Sequence, residues 1–104
     1  MPGVKMPRGK VNLKVLIKQL KDRKVGKRVD AVEALIKRNN KNVVERLIPL
    51  LNSRSETVRR DVVLVLGNLG GKEALGALEG MLEDRSEFVR SNAAHFLKKA
   101  GKGK

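Results

Sequence analysis

Arg54-Ser-Glu-Thr-Val-Arg59 returns almost unchanged as Arg85-Ser-Glu-Phe-Val-Arg90, 31 residues further along the chain. Only the fourth residue differs between the two copies. Self-similarity at a fixed spacing is the sequence signature of stacked structural repeats. The stretch therefore predicts an array of repeats.

Apolar residues follow each copy at the spacing of one face of an α-helix. They are Val58, Val62, Val65, Leu66 and Leu69, and then Val89, Ala93, Phe96, Leu97 and Ala100. A weaker copy lies one period earlier, where Arg28, Asp30, Ala31, Ala34 and Leu35 replace Arg59, Asp61, Val62, Val65 and Leu66. Each stretch is followed by a residue that tolerates the left-handed backbone ending many helices, namely Asn39, Gly70 and Gly101.

A shorter helix is expected before each of these three. The first is capped by Asn12, the third runs from Val43 to Leu51, and the fifth runs from about Glu73 to Glu83. Pro49 is expected to kink or end the third helix because it lacks a backbone N–H. The expected buried residues are Leu13, Leu16, Ile17 and Leu20; Val44, Leu47, Ile48 and Leu51; and Leu75, Leu78 and Leu82.

Two local details stay open. The second helix could bury the face given by the repeat register, with Ala31 and Leu35, or a rotated and more apolar face. The rotated face would carry Val25, Val29, Val32 and Ile36. Either Ser53 or Ser55 could cap the fourth helix, and Ser53 with Glu56 fits a capping box.

The whole pattern predicts an all-α fold, an α-solenoid of three helical hairpins and six helices. The repeats are expected at about 12–40, 43–71 and 74–101, within a repeat domain that covers 12–100. A basic N-terminal tail is expected at 1–11 and a basic C-terminal tail at 101–104.

The helix, the turn with Asp/Ser-x-Ser-x-x-Val-Arg and the second helix ending in Gly resemble the HEAT repeat. The short period is most similar to the HEAT-like, or phycobilisome-lyase-like, form. The resemblance covers about residues 12–100 and implies a scaffold, an adaptor or, in some branches, a nucleic-acid binder. The His-Glu motifs of HEAT-like metal-dependent hydroxylases do not occur in this chain.

Composition excludes several classes of protein. There is no Cys, so disulfides and thiolate metal sites are excluded. No apolar run is long enough to span a membrane, and the first ten residues have no apolar core of a secretory signal. A cytoplasmic location is therefore expected, with no membrane partner.

The net charge of +13 is the strongest clue to function, and it is unevenly distributed. Residues 1–42 contain 13 Lys/Arg against three acids, whereas residues 43–104 contain 11 against eight. Folding does not need such an excess, and self-repulsion makes it a small cost. A polyanionic partner is the favoured interpretation, and a merely well-solvated surface is the alternative.

Nothing in the sequence predicts an enzyme. His95 is the single His and has no His or Cys partner at a metal-binding spacing. Ser53, Ser55 and Ser86 are interpreted as helix caps, and Gly70-Gly71 as a helix stop. No catalytic residue, cofactor, metal or small-molecule substrate is expected.

Two rows of arginines recur with the repeat. Arg28, Arg59 and Arg90 open the second helix of each hairpin, and we expect them to pair with neighbouring acids or carbonyls as a structural ladder. Arg23, Arg54 and Arg85 lie in the turns inside the hairpins, where side chains face solvent. The predicted nucleic-acid-binding residues are these turn arginines and the nearby lysines, that is Lys14, Lys18, Lys21, Arg23, Lys24, Lys27, Arg54 and Arg85.

Such an edge is expected to bind a phosphate backbone with little reading of bases. The chain has no Trp or Tyr, and we expect Phe88 and Phe96 to be partly buried, which leaves no stacking surface. RNA in a ribonucleoprotein such as the ribosome is the favoured partner, and duplex DNA is equally permitted by charge. The competing class is a protein–protein adaptor, with the charge serving an acidic protein.

Overall fold

The computed structural model describes residues 12–101, which form six α-helices. They are α1 (Leu13–Gln19), α2 (Val25–Arg38), α3 (Lys41–Leu47), α4 (Glu56–Leu69), α5 (Lys72–Gly80) and α6 (Glu87–Lys99). Two 3₁₀ segments, Ile48–Asn52 and Met81–Glu83, extend α3 and α5. The predicted N-terminal tail, 1–11, lies outside the described residues, as does the C-terminal tail apart from Gly101.

The helices pack as three hairpins in one stack. In each hairpin an odd-numbered helix contacts the even-numbered helix that follows it, and α4 also contacts both α2 and α6. Side chains from all six helices join in one apolar core, which is aliphatic except for Phe96 and Met81. The predicted all-α repeat fold of helical hairpins is confirmed, and α4 is its central element.

Side chains at the predicted positions begin the helices. Asn12 Oδ1 accepts from the Lys14 N–H at 2.7 Å and starts α1. The cap of α4 is Ser55, whose Oγ accepts from the Val58 N–H at 3.2 Å. The Ser53 hydroxyl accepts from the Ser55 N–H in the turn and does not cap the helix. A capping box that starts at Ser53 is therefore wrong.

The predicted ends are also confirmed. Asn39, Gly70 and Gly101 have φ values of 41°, 70° and 81°, in the left-handed half of conformational space. α3 ends at Leu47 and the chain continues as a 3₁₀ segment with Pro49 near its start. Proline is tolerated there because the first N–H groups of a helical segment have no partner to lose.

The core follows the repeat register. Ala31 and Leu35 of α2 are fully buried, whereas Val25 on the rotated face is 64% exposed. The expected burial of Leu82 is wrong, because this side chain is 41% exposed. Met81 fills the inward position instead, and within residues 12–101 no further hairpin follows to cover Leu82.

The expectation for Phe88 is also wrong, since this side chain is 65% exposed. It precedes the fully buried Val89 in the first turn of α6, and neighbouring residues on a helix point about 100° apart. The second phenylalanine, Phe96, is buried as expected and packs over the Gly67 backbone. The surface near the third turn therefore carries one aromatic ring.

Leu66 is fully buried in the last turn of α4, and Leu66→Ala should lower the free energy of unfolding by about 2–5 kcal/mol. The loss combines the transfer energy of the removed methyl groups with the cavity left behind. Urea unfolding followed by circular dichroism measures it. Leu82→Ala is the matched control and should cost far less, and equal losses at the two sites would contradict the assignment of the core.

Gly67→Ala should destabilise the protein by about 1–3 kcal/mol, because a Cβ at this position would overlap the Phe96 ring. Gly76→Ala is the control, since no atom lies within 4 Å of its added Cβ and the site is within α5. That substitution should raise stability by about 0.4–1 kcal/mol. Thermal unfolding of both variants tests this contact, and stabilisation by Gly67→Ala would rule it out.

Candidate anion-binding edge

The turns inside the three hairpins form one edge of the stack, here called the turn edge, which carries Arg23, Arg54 and Arg85. All three side chains are exposed, as the sequence predicts for turn residues. Arg85 Nη2 also donates to the Arg54 carbonyl oxygen at 3.4 Å, which fixes the third turn against the second. Two of the three turn arginines are thus adjacent.

Each turn is shaped by a short side chain that bonds to the backbone two residues later. Asp22 Oδ1 accepts from the Lys24 N–H at 2.8 Å, and Asp84 Oδ2 accepts from the Ser86 N–H at 2.9 Å. In the second turn the equivalent residue is Ser53, which makes the same bond with its hydroxyl at 3.1 Å. Asp and Ser are favoured in turns for this bond.

The structural arginine ladder holds these turns to the helices that follow them. Arg28 Nη1 donates to the carbonyl oxygens of Asp22 and Arg23, at 2.8 and 3.0 Å. Arg59 Nη1 donates to those of Ser53 and Arg54, at 2.8 and 3.2 Å. Arg90 Nη1 donates to the Asp84 carbonyl oxygen at 2.7 Å. The three arginines therefore repeat one structural contact.

The second and third hairpins are also joined by a two-point ion pair. Arg59 Nε and Nη2 donate to Asp84 Oδ1 and Oδ2, at 3.0 and 3.1 Å. Burial alone would raise the pKa of Asp84, but the Ser86 N–H and the Arg59 guanidinium outweigh it and hold this pKa below its usual value. Arg59 is only 3% exposed, so the pair is removed from water.

The first and second hairpins lack this closure. Ser53 stands where the third hairpin has Asp84, and it offers no carboxylate to Arg28. The nearest charge partner of Arg28 is Asp61 on α4, with Nε and Oδ2 3.8 Å apart. At this distance the two side chains form an ion pair but no hydrogen bond.

The carboxylate of Asp61 lies in an unfavourable environment. Its Oδ2 is buried and has no hydrogen-bond donor among the described residues. Burial raises the pKa of Asp61 above its usual value, although Arg60 and Arg28 act in the opposite direction. The Arg28 guanidinium therefore has one carboxylate nearby, at 3.8 Å, to which its Nε makes no hydrogen bond.

A cleft of about 500 Å³ opens at this incompletely closed junction. It lies between the first and second turns and is lined on its polar side by Lys21, Asp22, Arg28, Ser53, Arg54, Ser55 and Thr57. Ser55 and Thr57 belong to the amino end of α4, where backbone N–H groups lack intrahelical acceptors. We call this space the junction cleft.

The remaining predicted residues lie on the first hairpin, and all of them are exposed. Lys24 and Lys27 flank the start of α2, where the Lys27 carbonyl oxygen accepts from Gln19 Nε2 at 2.8 Å. Lys14 and Lys18 lie further back on α1, where the Lys18 carbonyl oxygen accepts from the Lys21 N–H at 3.0 Å. The fold thus brings together Lys21, Arg28 and Arg54, but not the whole predicted set.

Sequence reasoning assigned Ser53 and Ser55 to capping and did not consider Thr57, so it missed their place in the cleft. The signal was present in the repeat alignment, where positions 22, 53 and 84 read Asp, Ser and Asp. A neutral residue, Ser53, at the position where Asp84 pairs with the preceding ladder arginine marks the open junction.

Other kinds of site have little support in the part of the chain that the structure describes. No group of three His, Cys, Asp or Glu side chains is placed to hold a metal among those residues. None of the described helices is long and apolar enough to cross a membrane. His95 contacts the Phe96 ring edge-on, with the ring centroids 5.1 Å apart.

A family model described as HEAT repeats matches residues 13–98, which is most of the chain. No curated protein matches the sequence with significance. The shorter phycobilisome-lyase-like form stays a prediction, because the match covers the broader family.

Asp84→Asn should lower the free energy of unfolding by about 3–5 kcal/mol at pH 7, because it leaves the buried Arg59 charge unpaired. The lowered pKa of Asp84 means that its contribution is complete above about pH 3.8 and is lost as the pH falls through the folded-state value. Chemical unfolding across pH measures this difference.

Glu83→Gln removes the neighbouring exposed carboxylate and serves as the control, with an expected change within about 0.5 kcal/mol. A deficit of Asp84→Asn that stays the same at pH 7 and at about pH 2 would show that the pair does not stabilise the fold through charge.

Proposed function

The chain belongs to the HEAT-repeat family, and on that premise we propose that it is a non-enzymatic binding module that holds a polyanion, RNA in first place, against its turn edge. HEAT repeats supply a binding or scaffold module, and the charge and geometry of this chain suggest the class of partner. We propose a cytoplasmic ribonucleoprotein, such as the ribosome, as its setting.

The observation that carries the proposal is the concentration of exposed cations around the first two turns. Lys21, Arg23, Lys24, Lys27 and Arg54 are all exposed. Two acids lie close to them in the sequence: Asp22 accepts from the Lys24 N–H, and Glu56, two residues after Arg54, accepts from the Ser86 hydroxyl. Arg85 extends this row to the third turn through its bond to the Arg54 carbonyl. A row of cations on rigid turns suits phosphates, which are bound by charge and without base readout.

RNA is favoured over duplex DNA by the exposed ring of Phe88. This residue comes three positions after Arg85, so an unpaired base next to a bound phosphate could stack on it. Stacking of splayed bases on aromatic side chains is a common mode of RNA recognition. A fully paired duplex offers no free base face to the ring.

A protein partner is the second candidate. Val25 and Val29 are largely exposed one helical turn apart on α2, where they could meet an apolar side chain. HEAT repeats commonly mediate protein interactions, and an acidic partner protein could use the same cations. The two candidates differ in the salt dependence and in the probe that binds.

Replacing Arg23, Lys24 and Arg54 together with Ala should weaken RNA binding by about tenfold or more and lower the log–log salt slope by roughly 2–3. Three lost phosphate contacts release that many fewer counterions. Fluorescence anisotropy with a labelled structured RNA, a duplex DNA and an acidic peptide, each across a salt series, measures both quantities.

The matched control replaces Arg46, Lys72 and Lys98, which are exposed cations away from the turns. It removes the same charge and should keep most of the affinity. Equal weakening by the two triple variants would mean that net charge alone drives binding. Weak binding of both nucleic acids with tight binding of the acidic peptide would replace the RNA proposal with the adaptor.

A further inference from the structure

We propose that the junction cleft binds a single phosphate group, which takes the place of the carboxylate that is missing between the first and second hairpins. The inference deepens the proposed function by naming one discrete site on the turn edge. It rests on that function only for the identity of the molecule that carries the phosphate.

The internal repeat supplies the template for this site. At the junction of the second and third hairpins, Nε and Nη2 of Arg59 donate to the two carboxylate oxygens of Asp84, at 3.0 and 3.1 Å. At the first junction Arg28 uses Nη1 for the same two turn carbonyls, but Ser53 leaves its other side without a hydrogen-bonded anion. The Arg28 side chain is 17% exposed and lines the cleft, so a ligand can reach it.

The other groups that line the cleft match a phosphate better than a second carboxylate. Lys21 and Arg54 add two cations to Arg28 in the lining of the cleft, and Ser53, Ser55 and Thr57 add hydroxyls. A carboxylate has two oxygens, which the arginine alone can occupy, whereas a phosphate has further oxygens for the lysine and the second arginine. The amino end of α4 adds the favourable end of a 14-residue helix dipole.

The acid in the cleft does not cancel these charges. Asp22 accepts from the Lys24 N–H at 2.8 Å and is the one acid among the lining residues, which include three cations. Asp61 adds a second carboxylate, 3.8 Å from Arg28 Nε and without a hydrogen bond to it. The volume of about 500 Å³ lies within the range of small-molecule sites, roughly 300–1,000 Å³. The cleft can therefore take a phosphate together with the sugar or other group that it esterifies.

Ser53→Asp tests the site by supplying the missing carboxylate from within the protein. Asp at this position can make the same bond to the backbone two residues later as Asp22 and Asp84 make. The variant should unfold at a higher temperature than the natural protein without phosphate, and should bind inorganic phosphate about tenfold or more weakly. Asn52→Asp is the matched control, because it adds the same charge at an exposed neighbour outside the cleft.

Titration with inorganic phosphate against chloride at equal ionic strength, followed by backbone amide NMR, measures the binding. The natural protein should show saturable shifts at residues 53–58 and around Arg28, which Asn52→Asp keeps and Ser53→Asp loses. Shifts that never saturate, shifts spread over all exposed cations, or full binding by Ser53→Asp would overturn the proposal.

A second pair of variants keeps the test decisive if Ser53→Asp fails to fold. Lys21→Gln removes an exposed cation that lines the cleft, and Lys72→Gln removes one on the third hairpin. Only Lys21→Gln should weaken phosphate binding, by about threefold or more for one lost charge-assisted contact. Equal affinities of the two variants would contradict the site.

Two further probes separate the sources of the phosphate. A short RNA that shifts the same amides and competes with inorganic phosphate identifies the backbone as the ligand. A nucleoside monophosphate that binds as tightly as the RNA identifies a free organic phosphate, and in that case the cleft stands while the proposed RNA function fails. If RNA still binds Ser53→Asp, and inorganic phosphate causes no shifts in the natural protein, the cleft proposal fails while the proposed RNA function stands.

Discussion

The arginine that opens the second helix of each hairpin is the constraint on which the rest of the structure depends. By donating from Nη1 to turn carbonyls five and six residues earlier, Arg28 and Arg59 fix the angle between a turn and its helix. These carbonyl oxygens would otherwise need water as their partner, because a turn offers them no regular backbone N–H donor. A turn held in this way presents its side chains at a fixed position, which gives the edge its regular geometry.

The same residue type has a different environment at each junction. Arg59 is fully engaged by Asp84 and closes its junction, so it is unavailable to any ligand. Arg28 faces Ser53 and a carboxylate, Asp61, that is too distant for a hydrogen bond. The fold tolerates the open junction because burial of Ala31, Leu35 and the α4 side chains holds the first hairpin in place. One copy of the motif thus closes its junction, and another copy leaves its junction open.

Much of the fold could be predicted from the sequence because it repeats. The periodic apolar positions gave the six helices, and Asn39, Gly70 and Gly101 gave the stops, since both signals are local. The repeat register also favoured the correct face of α2 over the more apolar face with Val25. The exposure of Leu82 and Phe88 could not be predicted, because it depends on which neighbouring elements pack there. The junction cleft could not be predicted for a related reason. It arises because the Ser53 side chain is too short to reach Arg28, and a sequence pattern does not show where a side chain falls short.

The contact between Gly67 and Phe96 has a consequence for how the repeats relate to one another. The residues 31 positions earlier, at the equivalent places in the repeat, are Ile36 and Val65, which both have branched side chains. Between α4 and α6 the first of these positions is Gly67, which has no side chain, and the second is Phe96, whose ring fills the space beside it. A hairpin moved to another place in the stack would meet the wrong shape, leaving either a void or an overlap. The array therefore has a fixed order, and its three copies have diverged into parts that are no longer interchangeable.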